Sequence, residues 1–278
     1  MPVDLHLHSL LSDGTETPER VVEMAAGAGM TAISLTDHDH LAGTATARQA
    51  AEAAGMGYVT GTELSVEWDT GPMHMLAYRI DPDSGPITDR LAMVRQGRET
   101  RNERMLERLI ELGYDITFDE VAAVAGGPVI GRPHMAHVLI AKGYFDSVAD
   151  VFDRLLGNGK PGYIERERLE AVEAIELTAA SGGVTVIAHP HTVGVGRADY
   201  ERAFADLADA GLGGIECYYP EYSPEVRRRL AKTAANLGLI ATGGSDFHGP
   251  SVKPGLEVGV GFGDLEVPDE AFEALINR

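Results

Sequence analysis

The chain has 278 residues, 44% of them hydrophobic and 24% charged, the make-up of a soluble globular protein large enough to bury a full core. Its 23 basic and 43 acidic side chains leave a formal charge of -20, a field that repels a phosphate backbone at long range, so broad binding of long nucleic acid is excluded and a phosphorylated partner has to be drawn in locally. A single cysteine, Cys217, excludes an internal disulfide framework, and neither a basic-then-apolar leader nor a run of about 18 apolar residues is present, so a cytoplasmic protein with no membrane segment is expected.

In chain order, short β-prone runs alternate with alanine-rich stretches of helical period: Val3 to Leu5, Pro18 to Ala28, Ala32 to Leu35, Gly43 to Ala54 and Tyr58 to Thr60. Thr17-Pro18-Glu19 reads as a helix start, with Thr17 as cap and Pro18 in the first turn, and Gly27 and Gly29 close the same helix. The pattern resumes later, with strands at Val184 to Ala188, Gly214 to Tyr218 and Leu239 to Thr242, separated by helices at Tyr200 to Ala210 and Pro224 to Leu237. Such alternation predicts an α/β fold of parallel strands joined by helical crossovers. Between these halves, residues 81–168 read as a mostly helical insertion, with a long charged helix at Thr88 to Leu112 and a joint at Gly126-Gly127-Pro128. The expected organisation is thus a domain from 1–80 and 169–278, interrupted by an insertion at 81–168. The dense charge of Arg98 to Arg108 reads as a solvated helix face with spaced Glu and Arg pairs.

The sharpest local signal is Asp4-Leu5-His6-Leu7-His8, because alternate side chains of a strand share a face, so His6 and His8 project together. Asp13 follows in a loop that can curl back toward the pair, with Gly14 to supply an unusual backbone angle. A His-x-His pair alone is weak evidence. Later strand candidates, however, also end in metal-competent residues: Asp37-His38-Asp39-His40, Glu63, His74, His189-Pro190-His191 and Asp246-Phe247-His248. Ligand sites of parallel α/β folds gather at the carboxyl ends of strands, so these residues are expected to converge. Imidazole and carboxylate without thiolate suit two or three divalent cations, manganese, iron or zinc, in an open site. Paired cations activate water and clamp a phosphoryl oxygen, which points to hydrolysis.

The segments DLHLHSLLSDG, LTDHDH, GTELSV, the lone His74, IAHPHT and GGSDFHG resemble, in order, the motifs of the polymerase and histidinol phosphatase (PHP) family over nearly the whole chain. That resemblance implies a distorted seven-stranded β/α barrel with a trinuclear metal centre. It would place His6, His8, Glu63 and Asp246 on one metal, Asp13, His38 and His248 on a second, and Glu63, His74 and His189 on a third. Ile130-Gly131-Arg132-Pro133-His134 resembles the segment by which nucleotide-directed members reach a substrate phosphate, which implies substrate-binding and catalytic roles for Arg132 and His134. The guanidinium geometry of Arg132 suits bidentate phosphate binding, and His134 would orient the ester oxygen or protonate the leaving group; an ion pair for Arg132 and a helix cap for His134 are the plainer alternatives.

His40, His137 and His191 are left outside the ligand list. Asp37 is expected to orient a ligand imidazole, and Glu216 and Tyr219 to line the pocket. The activity implied is hydrolysis of phosphomonoesters of small nucleotides, most like the members that remove the 3'-phosphate of 3',5'-nucleoside bisphosphates, with 5'-to-3' trimming of short oligoribonucleotides as an extension. Inorganic phosphate would be the product. Histidinol-phosphate hydrolysis and a non-catalytic metal-binding module are the competing readings.

Overall fold

The computed structural model describes residues 2–125, 130–165 and 169–278. The expected joint at Gly126-Gly127-Pro128 lies outside them. The chain divides into two compact units, one of residues 1–92 and 168–278, the other of 93–167.

The first unit opens with β1 (Val3–Leu7), α1 (Pro18–Gly27), β2 (Ala32–Leu35), α2 (Thr44–Ala53) and β3 (Gly57–Tyr58). Thr17 caps α1 by accepting the Arg20 N–H, Pro18 lies in its first turn, and Gly29 closes it at φ 76°. Strands β1, β2 and β3 pair in parallel, as crossover helices require. The next two strands, β4 (Gly61–Trp68) and β5 (Gly71–Tyr78), form a hairpin, so the expectation of parallel strands throughout is corrected here. Only the short turn at Asp69-Thr70 separates them, too few residues for a crossover.

A long helix, α3 (Pro86–Glu111), then leads into α4 (Phe118–Ala125), α5 (Arg132–Ala141) and α6 (Val148–Val151), which runs on into a π-helical turn at Phe152–Leu156. The second unit has a core of its own, in which Met105, Leu109, Val121, Met135, Leu139 and Leu156 are buried together.

The first unit resumes with β6 (Leu169–Glu170), α7 (Ala171–Ala180), β7 (Val184–Ile187), α8 (Tyr200–Asp209), β8 (Gly214–Tyr218), α9 (Pro224–Asn236), β9 (Ile240–Gly243) and α10 (Asp269–Ile276). A six-stranded sheet runs β6-β4-β5-β7-β8-β9, with β5 antiparallel to both neighbours and the other pairs parallel. Single bridges join the two sheets: Leu7 pairs with Phe247 beyond β9, and His38 beyond β2 pairs with Glu63 of β4. The distorted seven-stranded barrel implied by the resemblance is not shown as such: the strands form a three-stranded and a six-stranded sheet linked by isolated bridges. Apolar residues from both sheets, among them Val3, Leu5, Leu76, Tyr78 and Val186, share one core. A second cluster of Leu7, Val21, Val22, Ile33 and Leu35 packs α1 against β1 and β2. Each such side chain taken from water contributes roughly 1.5–3 kcal/mol before conformational entropy is set against it.

Candidate metal centre

The two bridges bring the predicted residues together. The Asp246 N–H donates to the His6 carbonyl and the His8 N–H to the Phe247 carbonyl, both at 2.9 Å, so Asp246 and His248 run beside His6 and His8. On the hairpin, Ser65 lies directly opposite His74; Glu63, two residues from Ser65, shares that face and reaches His74 Nδ1 at 2.9 Å. Asp13 reaches the same place by a loop that folds onto β1. A Cβ on Gly14 would come within 2.8 Å of the His8 carbonyl oxygen, so the glycine serves close approach, and its backbone is not among the positive-φ positions.

Three sets of nitrogen and carboxylate atoms gather within 4.8 Å: His6, His8, Glu63 and Asp246; His8, Asp13, His38 and His248; and His38, Glu63 and His74. His189 donates or accepts a hydrogen bond at 2.8 Å with Glu63 Oε1 but lies outside the third set, where His38 stands instead. Both nitrogens of His8, Nδ1 of His38 and of His74, and Oδ1 of Asp246 are buried without a hydrogen-bond partner. Imidazole nitrogens and a carboxylate oxygen facing one another without hydrogen-bond geometry are costly unless a cation satisfies them, so the donor set fits divalent metal.

Electrostatics agree. Burial opposes charge on Glu63 and Asp246, yet the surrounding imidazoles hold both carboxyls well below their usual range. Burial alone would lower His8, but Asp246 and Glu63 outweigh it and push its pKa up to about 10. At His38 burial wins and lowers the value to about 4.

The supporting shell differs in part from expectation. Asp37 touches no imidazole; its carboxylate accepts the Ser9 N–H and the Ser9 and Ser12 hydroxyls, all at 2.7 Å, and so anchors the loop that carries Asp13. Orientation of imidazole falls to Glu216, which pairs with His6 Nδ1 at 2.8 Å and accepts the His189 N–H at 2.6 Å. Asp4, fully buried, accepts the N–H groups of His6, Ser245 and Gly259, and burial lifts its pKa to about 6. His40 donates from Nε2 to the Leu11 carbonyl and accepts the Ala42 N–H at Nδ1, and His191 pairs with the Tyr222 hydroxyl, which accounts for both without a ligand role. His137 is exposed on α5. Among the described residues four non-glycine residues have positive φ; two of them, His189 and Asp246, are predicted ligands, and a third, Asp39, follows His38 and accepts the Ser65 N–H and hydroxyl.

One contributor carried no sequence signal. Lys253, in a loop without a motif, donates to Asp246 Oδ2 at 3.0 Å and to the Tyr219 hydroxyl at 3.2 Å.

Arg132 and His134 belong to the second unit. The Arg132 guanidinium lies 5.4 Å from the ring centres of both Phe152 and Tyr163 and donates to the Leu156 carbonyl at the end of the π-helical turn. His134 Nδ1 accepts the Gly131 N–H at the start of α5, where Gly131 has no side chain to return the bond.

Residues 4–166 match the model of the PHP domain. The chain belongs to the PHP domain family. It is 35% identical to a 3',5'-nucleoside bisphosphate phosphatase of Chromobacterium violaceum, over 92% of this chain and 90% of that protein. It is 32% identical to the 5'-3' exoribonuclease Rnm of Salmonella typhimurium, over 92% and 87%. A Bifidobacterium adolescentis protein solved as a candidate metal-dependent phosphoesterase matches at TM-score 0.82 and 32% identity, covering 100% of this chain and 97% of that one. Among the described residues no helix is long and apolar enough to cross a membrane.

Proposed function

We propose that this PHP-family enzyme hydrolyses phosphomonoesters of small nucleotides, releasing the 3'-phosphate of 3',5'-nucleoside bisphosphates. The observation that carries this is similarity along nearly the whole chain to a protein of that named activity, supported by a cluster of imidazoles and carboxylates that could hold metal. His6, His8, Asp13, His38, Glu63, His74, His189, Asp246 and His248 would hold two or three divalent cations, manganese, iron or zinc. When bound, such cations supply Lewis acidity toward a phosphoryl oxygen and activate water. Glu63, common to two of the sets, would offset the repulsion between neighbouring cations with its negative charge. Glu216 fixes which nitrogen His6 turns toward the centre. Arg132 would take a phosphate oxygen through its paired N–H groups, and His134 would carry a proton to or from the ester oxygen. The second named relative, an exoribonuclease, favours short oligoribonucleotides as further substrates. A cytoplasmic setting belongs to the same proposal and rests on the single cysteine.

The test is phosphate release by manganese-loaded protein from adenosine 3',5'-bisphosphate, AMP, a short 5'-phosphorylated oligoribonucleotide and histidinol phosphate, beside an Arg132→Ala variant. The bisphosphate is expected as best substrate, with its turnover lost in the variant. Histidinol phosphate as best substrate would overturn the nucleotide assignment, and silence on all four would favour a non-catalytic module.

A further inference from the structure

Lys253, Tyr219 and Asp246 form a closed triangle at the edge of the centre. Tyr219 is buried and hydrogen-bonds Asp246 Oδ2 at 2.8 Å. A carboxylate oxygen can only accept, so the Tyr219 hydroxyl is the donor of this bond. The Lys253 ammonium donates to the same Oδ2 and to the Tyr219 oxygen, and it stands 5.6 Å from the Tyr219 ring centre. Both donors therefore use one oxygen of Asp246. The other, Oδ1, is left facing His6 and His8 at 3.4 Å and His248 at 3.5 Å without a hydrogen bond.

An ammonium has three N–H donors, and the triangle uses two of them. The third has no acceptor among the described residues, and the side chain is 30% exposed. A cation on Oδ1 would draw charge from the same carboxylate and weaken its hold on the ammonium, leaving the lysine with a surplus of positive charge beside the place where a phosphoester is to react. In a chain of formal charge -20, a cation built into the rim of the site is the kind of local attraction that a phosphate dianion requires.

We propose that Lys253 is a substrate-contacting residue, whose third N–H takes a non-bridging oxygen of the phosphate held at the centre, with Tyr219 and Asp246 fixing its position. This rests on the phosphoesterase reading above but not on the nucleotide specificity within it.

The experiment measures binding of inorganic phosphate to manganese-loaded protein by calorimetry, for wild type, Lys253→Met and Lys253→Arg, with manganese affinity measured separately for each. Loss of one charge-assisted hydrogen bond should weaken phosphate binding by about 10- to 100-fold in Lys253→Met, with partial recovery in Lys253→Arg. Because Lys253 also holds the ligand Asp246, phosphate binding is compared with each protein saturated in manganese, at concentrations set by its own measured affinity. Unchanged phosphate binding in Lys253→Met overturns the proposal. So does a phosphate-binding defect that disappears once the variant is saturated with manganese, because the lysine would then only position Asp246. Because the probe is phosphate itself, the outcome stands whether or not nucleoside bisphosphates prove to be the substrate.

Discussion

Two of the three ligand sets share His8 yet are built in different ways. The set of His6, His8, Glu63 and Asp246 is buried throughout and drawn from β1, β4 and the segment that hydrogen-bonds along β1. The set of His8, Asp13, His38 and His248 lies at the mouth, where the Asp13 side chain is 45% exposed and held in a loop by the two serines on Asp37. Backbone ladders fix the first set, whereas side-chain hydrogen bonds fix the second. The inner half should therefore be rigid and tightly binding, and the outer half adjustable and more easily emptied.

Substitution of Glu63 should have the largest effect, since it serves both the inner set and the set of His38 and His74 and leaves the outer set of His8, Asp13, His38 and His248 as the one without it. Glu63→Gln is expected to lower bound metal, measured by elemental analysis, by more than one equivalent and to cut phosphatase activity by more than the roughly 100-fold that loss of an outer partner costs. Retention of full metal content would remove Glu63 from the centre. Next in size, Glu216→Gln should weaken metal binding by about 10- to 100-fold, confined to the inner set, because only His6 and the His189 backbone lose a partner. An Asp37→Ala variant should act on the other half: the Asp13 loop loosens, one weakly held ion is lost by about tenfold in affinity, and the tightly held ion is untouched. Equal weakening of both ions in a calorimetric titration would mean the halves are not separable.

The smallest effect is one of pH on the metal-free protein. His8, at about 10 when folded against an ordinary 6.5, contributes stability that is fully present below pH 6.5 and is lost as pH rises toward 10. His38, lowered to about 4, has the opposite sign and acts only between about 4 and 6.5, outside that window. The melting temperature of chelated protein should fall between pH 6.5 and 10, and His8→Ala should flatten the fall; an unchanged slope in the variant would assign the loss elsewhere.

The convergence of His6 and His8 with Asp246 was legible from period-two spacing in β1 and placement beyond a strand end, whereas Glu63 lies inside β4 and the grouping of the four came only from the resemblance. The bounds of α1, α2, α8 and α9 were legible from local signals too, each carrying a cap, a proline or a closing glycine. The hairpin of β4 and β5 was not, since direction depends on the length of the connection and the pairing partner, neither of which a β-prone run displays. Asp37 was misread because a carboxylate beside a ligand histidine is as able to bind serine hydroxyls as imidazole, and only the loop's path decides. Lys253 was invisible because its partners lie at Tyr219 and Asp246, brought to it by the fold alone.

The positive φ angles at Asp39, His189 and Asp246 have a consequence for protein engineering. Each such backbone costs on the order of 1–3 kcal/mol, so the molecule carries a stability debt concentrated at and beside the predicted ligands. A library selected for heat resistance alone would find relief by placing glycine or asparagine at these positions, and its most stable winners would be the ones that had given up turnover. Arg79, the fourth such residue and outside the cluster, is where the same relief can be taken without that loss.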